Sequence, residues 1–418
     1  MAARTSAPDP ARDDLAKAAR VRMVRGAKDD VSGVRPRLVA SPASTEEVAE
    51  VLRVAKERHL AVVACGAGTA LGWGAPPERA DLLLDTRRIA GVVEHAAGDL
   101  VVTVRAGTPV GELQAAVAEA GQQLALDAPY PEATVGGTLA VSTSGPRRLL
   151  YGTARDLLIG VTFVRADGVV AKAGGKVVKN VAGYDFGKLL IGSFGTLGVI
   201  TEAVFRLHPL PAARRVVSAT FPQASTAGRA ALAVLGSQVV PTAVELAGPA
   251  DEVRVTVLVE GVEAGVSGRT DAVVRLLGRG ATIHDELPAG FTALPFTPGG
   301  TGIKVTASLT GVGPVLAAAH SLGAQHGVDV DVRGSAAGVL HAGTGPAADP
   351  AAVARLVDRL RAAAALFGGS VTVLTAPADV RDVVDLWGPV PGLDLMRRLK
   401  AELDPDRRLS PGRFVGGI

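Results

Sequence analysis

Three glycine-rich stretches hold the residues best suited to chemistry. They are Gly66-Ala67-Gly68-Thr69-Ala70-Leu71, Ala133-Thr134-Val135-Gly136-Gly137-Thr138, and a long run from Gly174 to Thr201 that includes Lys179-Asn180-Val181-Ala182-Gly183-Tyr184-Asp185 and Gly192-Ser193-Phe194-Gly195-Thr196-Leu197-Gly198. Glycine takes positive φ without steric cost and has no Cβ to block a flat ligand. Successive backbone N–H groups in such turns form an anion-binding nest. Three of them suit one long ligand that carries phosphate. Read alone, Gly66 to Leu71 is also a tight strand-to-strand turn, and the second cluster with Ser142-Thr143-Ser144-Gly145 is also a plain Gly/Ser-rich loop. Two common nucleotide loops are excluded. An NTPase loop ends in Gly-Lys-Ser/Thr, whereas Gly68 is followed by Thr69-Ala70. The dinucleotide fingerprint needs a third glycine where this chain has Leu71.

The elements that must position these loops are legible from periodicity. Ser44-Thr45-Glu46-Glu47 is a capping-box pattern, and Val48, Val51, Leu52 and Ala55 repeat at helical spacing, which predicts a helix from Thr45 to Arg58. Ala61 to Ala64 reads as a buried strand running into the first glycine loop. Further strands are expected at 82–84, 92–94, 100–104 and 199–207, with a helix opened by Pro109 and a hairpin turning at Asp167-Gly168. His208-Pro209-Leu210-Pro211 punctuates the last strand and marks a boundary. Beyond it, strands at 216–221, 254–260, 304–309, 328–333 and 371–374 alternate with Ala-rich helices, the longest from Pro350 to Leu366. That alternation suits one layer of helices on a largely antiparallel sheet, an α+β arrangement. The expected division is a tail at 1–34, a ligand-binding domain at 35–211, an α+β cap at 212–385, and a closing segment at 386–418 that packs back on the ligand-binding domain.

At 418 residues, 48% of them hydrophobic and 3% aromatic, the chain is long enough for two cores. A net charge of +3 with no basic run interleaved with aromatics argues against a nucleic-acid partner. Cys65 is the only cysteine, so the chain by itself builds neither an internal disulfide nor an iron–sulfur cluster, and a reducing cytoplasm is the expected compartment. No apolar run approaches the ~20 residues that span a bilayer.

Taken in order, the Pro42–Val48 segment, Gly66-Ala67-Gly68-Thr69, Ala133 to Gly137, Tyr151-Gly152, Lys179 to Asp185 and Gly192 to Gly198 resemble the PCMH-type FAD-binding domain of the vanillyl-alcohol oxidase superfamily. The resemblance covers about Arg35 to Pro211. Through Gly175 to Asp185 and the tail from Met396 to Gly412, it is most similar to the smaller, E-type FAD-binding subunits of bacterial glycolate oxidases. The resemblance implies a two-subdomain FAD-binding domain with a cap. Gly66, Ala67, Gly68, Thr69 and Ala70 would hold the pyrophosphate. Pro129, Thr134, Gly136, Gly137, Ser142, Ser144 and Gly145 would line the flavin and its ribityl chain, with Tyr151 on the same connection. Gly195, Gly198, Val199 and Ile200 would close the adenine side, and Asn180 and Tyr184 would shape the flavin pocket. Many relatives bond flavin through a histidine in the first loop; Thr69 stands there, so non-covalent FAD is expected.

Relatives with a larger substrate domain grip a carboxylate through a metal held by paired histidines. Here Val339-Leu340-His341-Ala342-Gly343 offers one histidine, so no metal is expected. His341 and Arg333 are the candidate catalytic residues; His341 is alternatively a hydrogen-bonded residue near a turn. Arg333 and Lys304 could face a carboxylate or lie on a solvated strand face. Arg413 could reach the cofactor or sit at the surface, Arg397, Arg398 and Lys400 read as the solvated face of the last helix, and core packing accounts for Trp73 and Trp387. The resemblance implies hydride transfer from glycolate or D-lactate to flavin N5, with electrons leaving through a larger FAD subunit and an iron–sulfur subunit. A non-catalytic flavin relay and a stand-alone sugar or lactone oxidase are the alternatives.

Overall fold

The computed structural model describes residues 10–24, 26, 29–175 and 184–418. Asn180 therefore lies outside the described residues. Arg20–Met23, Leu38–Ser41, Val62–Cys65 and Leu82–Asp85 (β1 to β4) form a sheet in the order β1-β2-β4-β3. β2, β4 and β3 run parallel, and β1 is an antiparallel edge. The Thr45–Glu57 helix crosses between β2 and β3 and buries Val48, Val51, Leu52 and Ala55, the stripe its spacing predicts. Its cap is the expected one, with Ser44 Oγ accepting the Glu47 N–H at 3.2 Å.

Val92–Ala96 and Val101–Arg105 (β5, β6) begin a second sheet, and a short pair follows from Gln122–Gln123 (β7). Leu158–Val164, Val170–Gly174 and Val199–Arg206 (β8 to β10) complete the second sheet in the antiparallel order β5-β6-β10-β8-β9, and His208–Pro209 (β11) pairs with β7. The β8–β9 hairpin turns at Gly168, whose φ of +82° favours the absence of a side chain. Phe163 and Phe205 are fully buried in the core beneath this sheet. Truncating either to Ala is expected to cost about 3–5 kcal/mol.

Ala213–Phe221, Ala243–Ala247, Val253–Gly261, Thr282–His284, Gly302–Thr306, Val330–Ser335, Val339–Thr344 and Val371–Thr375 (β12 to β19) form one eight-stranded antiparallel sheet in the order β15-β12-β14-β13-β17-β18-β16-β19. The helices Ala224–Leu235, Glu263–Leu277, Val312–His326 and Pro350–Ala365 share a core with one face of it, through Val244, Leu246, Ile303, Val305, Leu340 and Ala342. Strand side chains alternate between faces. Glu245, Lys304, Arg333 and His341 therefore point the other way, towards the glycine loops. The protein is α+β, with its helices on one side of this large sheet.

The end of the chain returns to the first sheet. Val62 donates to the Arg408 carbonyl at 2.7 Å, and Ser410 donates back to the Val62 carbonyl at 2.8 Å. Lys400, expected on a solvated face, is 3% exposed on the helix Leu393–Leu403. Its Nζ donates to Asp404 Oδ2 at 2.6 Å, the Thr196 carbonyl at 2.8 Å and the Leu409 carbonyl at 2.9 Å. Arg397 and Arg398 are exposed as expected, and Lys400 is covered by the segments that carry Thr196 and Leu409. Among the described residues no helix is long and apolar enough to cross a membrane.

Candidate functional site

β3 ends at Cys65 and the chain turns at once into the first glycine loop. Leu71 N–H donates to the Gly68 carbonyl and Trp73 N–H to the Ala70 carbonyl, each at 3.1 Å, so two successive turns expose the backbone between them. The N–H groups of Ala67, Gly68, Thr69 and Ala70 donate to no carbonyl among the described residues. Thr134 caps the helix Val135–Val141, accepting the Gly137 N–H at 3.2 Å. The approach of loop and cap is close: a Cβ on Gly66 would lie 2.0 Å from Thr134 Oγ1, and one on Gly136 would lie 2.9 Å from the Ala106 Cβ. Ser193 to Gly198 forms the third wall, with Gly195 at φ +71°.

These walls line a cleft of about 940 Å³, counting its open mouth. Gly66, Ala67, Gly68, Thr69, Ala70, Pro129, Thr134, Gly136, Gly137, Gly195, Gly198, Val199 and Ile200 all line it. So do Cys65, Tyr130, Phe194 and Arg413, and Thr138, whose buried hydroxyl has no partner among the described residues. Arg413 is buried and reaches back from the end of the chain, its Nη2 donating to the carbonyls of Leu71 at 2.7 Å and Trp73 at 2.6 Å. Unpaired N–H groups, bare glycine surfaces and length fit a dinucleotide-sized cofactor with a pyrophosphate at the first loop.

A second pocket of about 690 Å³, counting its open mouth, shares Trp73, Pro129, Val141 and Thr143 with the first. Ser142, Ser144, Gly145 and Arg148 form one side, and Glu245, Lys304, Arg333 and His341 from the eight-stranded sheet form the other. Lys304 on β16, His341 on β18 and Arg333 on β17 stand in register across three adjacent strands. Burial pushes the Lys304 amine down to about 8. Burial, and then the charges of Lys304 and Arg148, push the His341 imidazole down to about 3, so it is neutral. Burial likewise pushes the Glu245 carboxyl up to about 8, and its Oε1 has no hydrogen-bond partner among the described residues. The pocket is thus cationic around one uncharged imidazole.

Not every expected residue reaches these clefts. Tyr151 lies in the short helix Arg148–Tyr151 and stacks on His208 with ring centroids 4.7 Å apart, outside both. Tyr184 is 85% exposed and lines neither. His341, read as close to a turn, sits mid-strand in β18, where the neighbouring Gly343 occupies a sheet position against which the backbone of Pro295 presses. Trp73 does pack as expected, edge-on to Phe296, and also forms the wall common to both pockets. Arg148 and Glu245 went unnoticed in the sequence. The single acid in Ala243-Val244-Glu245-Leu246 was a readable signal; for Arg148 there was none. Among the described residues no group of three His, Cys, Asp or Glu could hold a metal.

A nucleotide-length cleft walled by glycine turns opens into a charged pocket under an antiparallel sheet, an arrangement suited to a protein built around a dinucleotide-sized cofactor. Residues 36–174 match the FAD binding domain family, and residues 385–414 match the C-terminal domain of FAD linked oxidases. Those two segments of the chain are thus similar to the cofactor-binding and C-terminal domains of FAD-linked oxidases. It is 31% identical over 211 residues to glycolate oxidase subunit GlcD of Bacillus subtilis (strain 168), a match covering 50% of this chain and 45% of that protein. It is 42% identical over 132 residues to glycolate oxidase subunit GlcE of Escherichia coli (strain K12), covering 31% of this chain and 38% of that protein. Each match thus spans less than half of the relative. The glucooligosaccharide oxidase of Acremonium strictum, a flavinylated protein, shares the fold with a TM-score of 0.71 at 16% identity, over 96% of each chain.

Proposed function

We propose that this chain is an FAD-dependent oxidoreductase that oxidises a small 2-hydroxy acid, with glycolate and D-lactate as the simplest candidates, and works as the FAD-binding subunit of a glycolate-oxidase-type complex. The observation that carries the reading is the pair of cations, Arg148 and Lys304, beside neutral His341 in a pocket that shares its wall with the glycine cleft. Bound FAD would supply the acceptor for the α-hydrogen as hydride. Ala67 to Ala70 would hold its pyrophosphate through their free N–H groups, and Thr134, Gly136, Gly137, Gly195, Gly198, Val199 and Ile200 would pack along its length. Arg148 and Lys304 would receive the substrate carboxylate. Burial is the larger cause of the depressed His341, and that anion would offset the two charges that add to it, raising the affinity of an imidazole nitrogen for the hydroxyl proton.

The cofactor is proposed to be held without a covalent bond. Among the described residues lining the cleft, Cys65 and Tyr130 are the only nucleophiles of the kinds that bond flavin, and burial pushes the Cys65 thiol up to about 11. A chain with one cysteine would pass electrons to a separate iron–sulfur subunit, with a larger FAD subunit beside it, in the cytoplasm.

The single pocket histidine favours a second reading, in which a partner oxidises the substrate and this chain relays electrons. Anaerobic addition of glycolate or D-lactate to the purified, FAD-loaded chain separates the two. Bleaching of the flavin supports the first reading. Bleaching only after the partner subunits are added supports the second, and a protein that never takes up FAD rejects both.

A further inference from the structure

The second pocket holds more positive charge than one carboxylate would neutralise. Neither Arg148 nor Lys304 has a carboxylate within 4.0 Å among the described residues. Among the described residues Arg333 pairs only with Asp331, at 2.5 Å, whose side chain is 49% exposed, while the Arg333 Nε is buried without a partner. Glu245, the one acid in the lining, is held largely neutral near pH 7 by its burial. Unpaired cations in such a site are costly unless an anion joins them.

Placement matters as much as count. Lys304 and Arg333 flank His341 on neighbouring strands, and strand spacing of ~4.8 Å puts their backbones on the order of 10 Å apart, with the imidazole midway. Two long cationic side chains thus bracket one neutral proton acceptor. Past Arg333 the pocket continues into an outer groove that shares Glu245, Phe291 and Arg333 with it, leaving room for a substrate longer than two carbons.

We propose that the pocket takes a dianionic 2-hydroxy acid of four or five carbons, with the carboxylate next to the hydroxyl between Arg148 and Lys304, the hydroxyl at His341, and the second carboxylate at Arg333. This rests on the oxidoreductase reading above and narrows its substrate class. Arg333 is then a specificity-determining residue, since a molecule with one carboxylate leaves it unused.

Oxo acids, which cannot reduce flavin, test binding apart from turnover. Titration of the FAD-loaded protein with oxaloacetate or 2-oxoglutarate, followed by the visible flavin difference spectrum and by calorimetry, is expected to show at least tenfold tighter binding than glyoxylate or pyruvate. Arg333→Met should bring the ratio close to one, and Arg333→Lys should keep part of it, with FAD content and melting temperature checked in both variants. Equal affinity for one- and two-carboxylate ligands, or an unchanged ratio in Arg333→Met, overturns the proposal. Anaerobic addition of the corresponding hydroxy acids separates the two levels. If glycolate bleaches the flavin while diacids neither bind nor bleach, the diacid assignment falls and the oxidoreductase reading stands. If diacids bind tightly but no hydroxy acid bleaches the flavin with or without partner subunits, the binding site stands and the oxidation reading falls.

Discussion

Gly66 and Thr134 meet so closely that a Cβ on Gly66 would lie 2.0 Å from Thr134 Oγ1. The first glycine loop therefore rests on the capping residue of the helix Val135–Val141, and two walls of the cleft are set against each other. Gly66→Ala must part them. We expect at least a tenfold weaker FAD affinity in equilibrium dialysis, along with a lower melting temperature. Wild-type affinity in that variant would show that the contact is dispensable.

Gly68 differs, because no atom lies within 4 Å of where its Cβ would be, yet its φ is +83°. A β-branched side chain there pays for a left-handed conformation, about 1–2 kcal/mol, and projects over the free N–H groups. Gly68→Val should purify without yellow colour. Unchanged flavin content would remove the loop from the proposed phosphate site.

Lys400 ties the end of the chain to the cleft, since Thr196, which accepts its Nζ at 2.8 Å, lies between Ser193 and Gly198. Lys400→Met would leave Asp404, which is fully buried, without its counter-charge. The expected loss is about 3–5 kcal/mol in urea unfolding. Faster flavin release should accompany it, and a loss below about 1 kcal/mol would contradict this account.

Glu245 gives stability a pH dependence of known sign. Its carboxyl ordinarily titrates near 4.5 and is raised to about 8 in the folded chain by burial. Between those values the native form keeps a proton that the unfolded chain releases, so the residue's contribution falls as pH rises through that window. The effect is expected to be on the order of a few kcal/mol across that window. Glu245→Gln should flatten the pH 5–8 slope of melting temperature; an identical slope would reject the assignment.

If FAD is held without a covalent bond, acid precipitation should release all of it to the supernatant. Flavin fluorescence remaining on the denatured polypeptide would point to attachment, with Cys65 and Tyr130 as the positions to map first.

Much of the architecture could be read directly. The stripe of Val48, Val51, Leu52 and Ala55, the Asp167-Gly168 turn and the Ala-rich helix from Pro350 each announce their element through local spacing and turn chemistry, and the helices and strands follow within a few residues. The strands β13 and β18 were not seen, because Ala243–Ala247 is short and Val339–Thr344 is broken by His341 and Gly343. Those two strands carry Glu245 and His341. Glu245 therefore went unread and His341 was read as near a turn, whereas Lys304 and Arg333 lie on strands whose pattern was legible.

The glycine loops spoke for themselves because their chemistry is backbone chemistry: positive φ and free N–H groups depend on residues adjacent in sequence. The loops at Gly66, Gly136 and Gly195 are brought to one cleft by the folded chain. The charged pocket is another matter. Arg148, Glu245, Lys304, Arg333 and His341 come from five separate segments, and only strand register and the packing of a short helix against the sheet set them face to face. The depressed imidazole and the neutral carboxyl follow from burial and from neighbours distant in sequence. Backbone geometry is written locally, whereas electrostatic environment exists only once the chain has folded.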